Sequence, residues 1–149
     1  MPVDLDNRTA EAPDEARLSA LAEAVLAAQG VPDAEAGILL VTPDGMQAIN
    51  REHRGLDEVT DVLAFPIDED DDLPDGVPRM LGDVVVCLDE ARLQAEELGE
   101  APGRALAVLV VHGLLHLCGH DHETDDGEML ARQDVLLADL PDAAWEIGT

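Results

Sequence analysis

The chain has 149 residues, 46% of them hydrophobic, which fits one globular domain with a core of Val, Leu, Ile and Ala. With one Phe, one Trp and no Tyr, it cannot build the base-stacking platform of the common single-strand RNA modules. The net charge of −26, with arginine as the basic residue throughout and no lysine, disfavours non-specific binding to nucleic acid and membranes.

Two explanations of this acidity stay open. The surface repels polyanionic partners, or it is adapted to a salty cytoplasm, where the Debye length falls to roughly 3 Å at 1 M salt and the repulsion is screened. We take the second as a working hypothesis, which predicts that the free energy of unfolding rises between low and molar salt.

The first half of the chain predicts alternating strands and helices. Residues 3–5 form a short edge strand, residues 13–29 a helix that stops at Gly30, and residues 37–42 a buried strand. Thr42 and Pro43 are typical of an N-cap and first helical residue, and they predict a helix to about Arg54 that is closed by Gly55.

The second half continues with a strand at residues 62–65 and an acidic loop at about residues 67–79. A strand over residues 83–88 and a helix over residues 89–98, capped by Asp89, come next. A largely apolar helix follows at residues 102–118, and a last helix runs from Thr124 or Asp125 to about residue 140.

This order, β-α-β-α-β-β-α-α-α, predicts an α+β fold in a single domain over residues 1–149. We expect a small mixed β-sheet packed with about five helices. Because the apolar helix should be central, its C-terminal end is the predicted position of a metal site.

Three histidines lead to that prediction. His112, His116 and His122 are spaced H-x3-H-x5-H. Residues four apart lie on one helix face, and Gly119 favours a helix end after which His122 can return to the first two rings. Three neutral imidazoles with a fourth position open are typical of a catalytic zinc site. Nickel or another divalent ion also suits imidazole ligands.

Neighbouring residues leave alternatives open. His120 would join His112 and His116 only on an uninterrupted helix, so Gly119 favours His122. Asp121 could orient a ligating ring or be an ordinary solvated carboxylate. The frame also matches the metzincin proteases, except that Gly113 stands where those enzymes carry their glutamate base, which disfavours a metallopeptidase.

Targeting and redox features predict a cytoplasmic protein. Cys87 and Cys118 form no C-x-x-C pair, which excludes a cysteine zinc knuckle, and both are expected to be buried thiols. The N-terminus lacks the basic and apolar regions of a signal peptide. No apolar run approaches the ~20 residues that span a bilayer, so no membrane association is expected.

Several motifs together resemble the YbeY family, the metal-dependent single-strand endoribonucleases of ribosomal RNA maturation. They are Asn-Arg-Glu-His-Arg-Gly-Leu-Asp (50–57), Thr-Asp-Val-Leu-Ala-Phe-Pro (60–66), Leu-Gly-Asp-Val-Val-Val-Cys (81–87) and His-Gly-Leu-Leu-His-Leu-Cys-Gly-His-Asp-His (112–122). The resemblance covers most of residues 36–137.

The resemblance implies that His112, His116 and His122 hold one zinc ion per chain. It also implies that Arg54, by itself an ordinary surface charge, contacts the RNA phosphate and belongs to the catalytic residues with the three histidines. The implied task is 16S rRNA 3′-end maturation and ribosome quality control. The implied partners are single-stranded rRNA and the ribosomal subunit, with ribosomal proteins or a GTPase as further candidates.

The chain departs from the family pattern at four positions, none of which is a metal ligand, and the loss of a lysine among them lowers the expected affinity for RNA. His53 and His120 stand where tyrosine is frequent, Leu56 replaces a usual lysine, and Ala64 replaces a usual serine. A non-catalytic ribosome-assembly factor, with a metal that only braces the fold, stays as a further alternative to the endoribonuclease.

Overall fold

The computed structural model describes residues 3–10, 15–31, 33–67, 80–99 and 102–118, and the single residues 131, 133 and 135. These residues contain the elements β1 (Val3–Asn7), α1 (Glu15–Ala28), β2 (Glu35–Val41), α2 (Pro43–Arg54), β3 (Val62–Pro66), β4 (Met80–Cys87), α3 (Leu88–Leu98) and α4 (Pro102–Leu117). The predicted order is confirmed through the fourth helix. The predicted last helix lies outside the described residues except for Ala131, Gln133 and Val135, which are helical.

The four strands form one mixed sheet in the order β1-β2-β4-β3. β1 pairs with β2 and β2 with β4 in parallel, whereas β3 is antiparallel to β4. Val84 of β4 therefore lies between Ile38 of β2 and Ala64 of β3. The expected α+β fold with a small mixed sheet is confirmed.

Alternation along the strands gives the sheet two apolar faces. Val84 and Val86 belong to the larger core, which contains buried residues of α1, α3 and α4. Val85 and Cys87 belong to a smaller cluster that contains Met46 of α2. The sheet thus separates α2 from the other three helices.

Helix α4 is the most deeply embedded element of the larger core. Its residues Leu106, Val110, Val111, Leu114 and Leu115 are 0% exposed. It contacts α1, α3, β3 and β4. The prediction of a central apolar helix is therefore confirmed. The side chains at the C-terminal end of α4 project from a closely packed part of the core.

Two predicted boundaries around β4 and α3 are wrong. β4 begins at Met80, three residues before the expected Asp83, because pairing of Met80 with Glu35 continues the ladder past an irregularity. The N-cap of α3 is Cys87 without a side-chain hydrogen bond, and not Asp89. Leu88 is buried and already helical, so β4 leads directly into α3 and Asp89 falls in the first turn.

The acidic loop expected at residues 67–79 lies outside the described residues apart from Ile67, which is exposed. In the described part of the chain no single helix combines the length and the apolar character needed to cross a bilayer. Helices α3 and α4 reach that length only as a sharply bent pair.

Candidate functional site

The histidine pair lies in the last turns of α4. His112 and His116 are four residues apart, so the helix places one ring above the other. Their ring centroids are 4.9 Å apart, and the planes meet edge to face at 75°. Both side chains are half-buried, whereas Val111 and Leu115 beside them are fully buried. The four-residue spacing thus brings these two imidazoles into contact, as expected for neighbours on one helix face.

A hydrogen bond orients the first ring. Nδ1 of His112 lies 2.9 Å from Oε1 of Gln133. In the neutral tautomer that donates from Nδ1 to this amide oxygen, Nε2 is the nitrogen that would bind a metal. A histidine ligand that donates its other N–H to an oxygen is the usual arrangement in metal sites. The donor set at this end of α4 therefore fits an imidazole-bound divalent ion.

The third predicted ligand, His122, lies outside the described residues, as do His120, Gly119 and Asp121. Within the described ranges no group of three His, Cys, Asp or Glu side chains is arranged to hold a metal. Because two imidazoles do not complete a tetrahedral shell, a metal bound here would need at least one further ligand. The choice of His122 over His120 stays a prediction.

Gly113 is fixed by packing against the sheet. A Cβ built on Gly113 would lie 2.5 Å from Cγ1 and 3.1 Å from Cγ2 of Val84. Residue 113 therefore faces β4, and any larger side chain would push α4 off the sheet. The glutamate base of the metzincin frame cannot be accommodated here without that displacement, which strengthens the case against a metallopeptidase.

Arg54 ends α2, on the face of the sheet opposite α4, and its side chain is exposed. The helix begins where Thr42 Oγ1 accepts the Gly45 N–H at 3.2 Å. It ends at Gly55, whose φ of 71° is left-handed and whose N–H donates to the Arg51 carbonyl at 3.1 Å. Both predicted caps are confirmed. No described contact links Arg54 to His112 or His116.

The charges around Arg54 leave its guanidinium available. Arg8 pairs with Asp6 at 3.1 Å, and Arg51 lies 3.6 Å from Asp57. Arg54 makes no ion pair with a described residue. Because a free guanidinium can bind a phosphate through two parallel hydrogen bonds, the position suits an anionic ligand.

The chain between α2 and β3, residues 55–61, is called the return segment below. Asn50 Nδ2 donates to the Glu58 carbonyl at 3.0 Å, and Gln47 Nε2 donates to Asp57 Oδ1 at 3.0 Å. At its far end, Asp61 accepts hydrogen bonds from the Val62 N–H at 2.7 Å and from Gln94 Nε2 of α3 at 2.6 Å. The segment that follows Arg54 is thus held at both ends by polar side chains.

A groove of about 560 Å³ lies on the α2 face of the sheet, away from the histidine pair. Asp4, Asp83 and Glu52 are among its lining residues, together with the rings of His53 and Phe65, whose centroids are 5.1 Å apart. Its carboxylates would repel a phosphodiester, so the groove does not extend the metal centre.

The expectation of buried free thiols is confirmed for Cys87 and only in part for Cys118. Cys87 is buried and Cys118 is half-buried, and neither is in a disulfide. Burial raises the pKa of both thiols above the usual value. Both are therefore neutral thiols at physiological pH.

Sequence reasoning missed two residues of this region. Gln133 carries no signal, because its partner His112 lies 21 positions away in the chain. Asn50 does carry one, since it follows Met46 by one helical turn on the buried side of α2. A polar residue in that position indicates a specific hydrogen bond rather than a solvated face.

Known proteins are similar to this chain over most of its length. The family described as Endoribonuclease YbeY matches residues 4–141. Proteins of that name from Staphylococcus carnosus and Anaeromyxobacter dehalogenans are 45% identical over 109 residues and 46% identical over 135 residues. The aligned parts cover 70% of this chain and 71% of the first protein, and 87% of this chain and 68% of the second.

The backbone is similar to the solution structure of a protein from Thermotoga maritima, with a TM-score of 0.63 and 28% sequence identity. The superposition covers 91% of this chain and 86% of that one.

Proposed function

This chain belongs to the endoribonuclease YbeY family, and from that membership we propose that it cleaves single-stranded RNA by metal-assisted hydrolysis of phosphodiester bonds. The structural observation that carries the metal dependence is the pair of half-buried imidazoles on α4, with Nδ1 of His112 bonded to Gln133. That bond orients the His112 ring, and we assign its other nitrogen, Nε2, as the ligand atom.

We assign His112, His116 and His122 as the residues that hold the metal, one ion per chain. Zinc suits three imidazoles with an open position, and nickel or another divalent ion suits the same ligands. When bound, the ion supplies Lewis-acid activation of water and stabilises charge on a phosphoryl oxygen. The close packing of α4 in the core keeps the rings of His112 and His116 at a fixed separation.

Arg54 is the proposed phosphate contact. Its exposed guanidinium has no described carboxylate partner, and it lies in a helix turn that also carries Arg51. Charge-assisted, bidentate hydrogen bonds to a phosphate would hold the strand and offset the charge that develops during cleavage. Helices α4 and α2 lie on opposite faces of the sheet, so we propose that the scissile phosphate binds at a sheet edge where the histidines and Arg54 can both reach it.

The acidity of the chain bears on where this activity operates. Phosphate contacts supply most non-specific affinity for RNA, and a protein of net charge −26 has few cations to offer. We propose that a ribosomal subunit presents the substrate, with the 3′ end of 16S rRNA as target and ribosomal proteins or a GTPase as partners, in the cytoplasm. High salt would lessen the remaining repulsion.

Two alternatives predict different chemistry. A metallopeptidase would need a base that Gly113 cannot provide, because glycine has no side chain, and a larger residue would meet Val84 there. A metal that only braces the fold would require a closed shell of four protein ligands and no exchangeable water.

The test pairs metal analysis with cleavage of a single-stranded oligoribonucleotide, for the wild type, His116→Ala and Arg54→Ala. We expect His116→Ala to lose metal and cleavage together. Arg54→Ala should keep its metal and lose about a hundredfold to a thousandfold in rate, as when one donor to a developing anion is removed.

An unstructured peptide serves as the control substrate and should stay intact. Cleavage that survives a demonstrated loss of metal would refute the mechanism. Peptide hydrolysis by the metal-loaded wild type would instead favour the metallopeptidase.

A further inference from the structure

Asn50 is the one buried polar side chain among the described residues, at 1% exposure. Its Nδ2 donates to the Glu58 carbonyl, but its Oδ1 is buried without a hydrogen-bond partner. An unpaired buried acceptor costs stability, and an apolar side chain would avoid that cost. The position therefore retains a residue that core packing alone would not favour.

The residues around Asn50 indicate which part of the chain its side chain keeps in place. All residues from Arg51 to Val59 are exposed, and in the last turn of α2 the His53 ring packs on the half-buried Phe65 ring, with centroids 5.1 Å apart. The hydrogen bond from Gln47 to Asp57 and the ion pair of Arg51 with Asp57 are exposed. Exposed contacts of this kind contribute little order.

Among the described residues, the Asn50–Glu58 bond is the only hydrogen bond from a buried side chain to the return segment. It complements the backbone bonds at the helix end, where the Gly55 N–H donates to the Arg51 carbonyl and the Leu56 N–H to the Asn50 carbonyl at 3.4 Å. Together these bonds fold the return segment back on α2. Without the side-chain bond, the terminal turn that carries Arg54 is free to fray.

We propose that Asn50 is a positioning residue for Arg54, which it holds toward the RNA phosphate by pinning the return segment at Glu58. The proposal rests on the proposed function, because it acts through the phosphate contact of Arg54. Asn50 itself touches neither substrate nor metal.

The test uses the fact that asparagine carries no charge, so that replacing Asn50 with leucine leaves the charge of the protein unchanged. For the metal-loaded protein, the logarithm of kcat/KM for a single-stranded oligoribonucleotide is measured against the logarithm of salt concentration. Each phosphate contact on a single strand contributes about 0.7 to the slope. Arg54→Ala should lower the slope by about that amount. Asn50→Leu changes no charge, yet it should lower the slope similarly and reduce kcat/KM about tenfold to a hundredfold.

The double variant Asn50→Leu/Arg54→Ala should behave like Arg54→Ala alone, because the two residues act as one unit. Gln47→Leu is the matched control: it removes an exposed hydrogen bond to the same segment and should leave slope and rate near the wild type. Asn50→Ala, a smaller change, is measured alongside in case Asn50→Leu does not fold.

Each contrary outcome identifies the part that fails. If Arg54→Ala leaves the slope and rate unchanged, the phosphate contact under the proposed function is wrong and the positioning role falls with it. If Arg54→Ala lowers both while the folded Asn50 variants keep the wild-type slope, or if the two effects add in the double variant, the positioning role alone is refuted.

Discussion

The two helix ends that carry the proposed site are held by different forces. The end of α4 stands on the larger core, with Val111, Leu114 and Leu115 fully buried around the histidines. The end of α2 is exposed and is held by a glycine cap and by polar contacts such as Asn50 to Glu58. Apolar packing over a large area resists displacement, whereas a few hydrogen bonds can be lost one at a time.

The difference matches what each end is proposed to do. Metal ligands have to keep a fixed separation, because an ion is bound at bond lengths near 2 Å. A phosphate contact can adapt to a flexible strand, so an arginine on a less constrained turn still binds. We therefore expect substitutions at α4 to cost folding stability or metal affinity, and substitutions at α2 to cost less of either.

The largest effect is expected at Gly113. Gly113→Glu forces a charged side chain into the contact between α4 and Val84, and it should lower the free energy of unfolding by more than about 3 kcal/mol, as measured by urea denaturation. Gly113→Ala should cost about 1–3 kcal/mol, because only one methyl group has to be accommodated.

The control for the Gly113 variants is a double-mutant cycle with Val84, because an added Cβ at residue 113 would meet the two methyl groups of Val84. Val84→Ala combined with Gly113→Ala should destabilise the protein less than the sum of the single variants. A Gly113→Glu protein of wild-type stability would show that residue 113 does not face the sheet.

An intermediate effect is expected at Gln133. Gln133→Leu removes the acceptor for the Nδ1–H of His112 and frees that ring to rotate or change tautomer. Metal affinity, measured by competition with a chelator, should fall about tenfold to a hundredfold with little change in stability. Gln133→Glu keeps an acceptor and should stay near the wild type. Equal affinities for Gln133→Leu and the wild type would mean that the bond does not orient the ring.

The smallest effect is expected at the start of α2. Thr42→Ala removes the hydrogen bond to the Gly45 N–H and should cost about 1 kcal/mol of unfolding free energy, whereas Thr42→Ser keeps it. Metal affinity should be unchanged in both variants, because the sheet separates this helix from the histidines. A loss of metal in Thr42→Ala would contradict that independence of the two ends.

Several features of the molecule were predictable because they depend on neighbours in the chain. Thr42 and Gly55 fixed both ends of α2, and the four-residue spacing of His112 and His116 placed their rings together. The limits of such reasoning show at Asp89, which has the side chain of an N-cap but lies inside α3 because β4 ends at Cys87 and the helix already begins at Leu88.

Sequence by itself determined the composition of the core, the helix caps and the pairing of two histidines, since these follow from periodicity and from backbone preferences within a few residues. Tertiary structure alone decided that Gly113 meets Val84, that Gln133 bonds His112 and that α2 lies across the sheet from α4. Such contacts join segments distant in the chain, and they are set by how the elements pack together in three dimensions rather than by any local pattern.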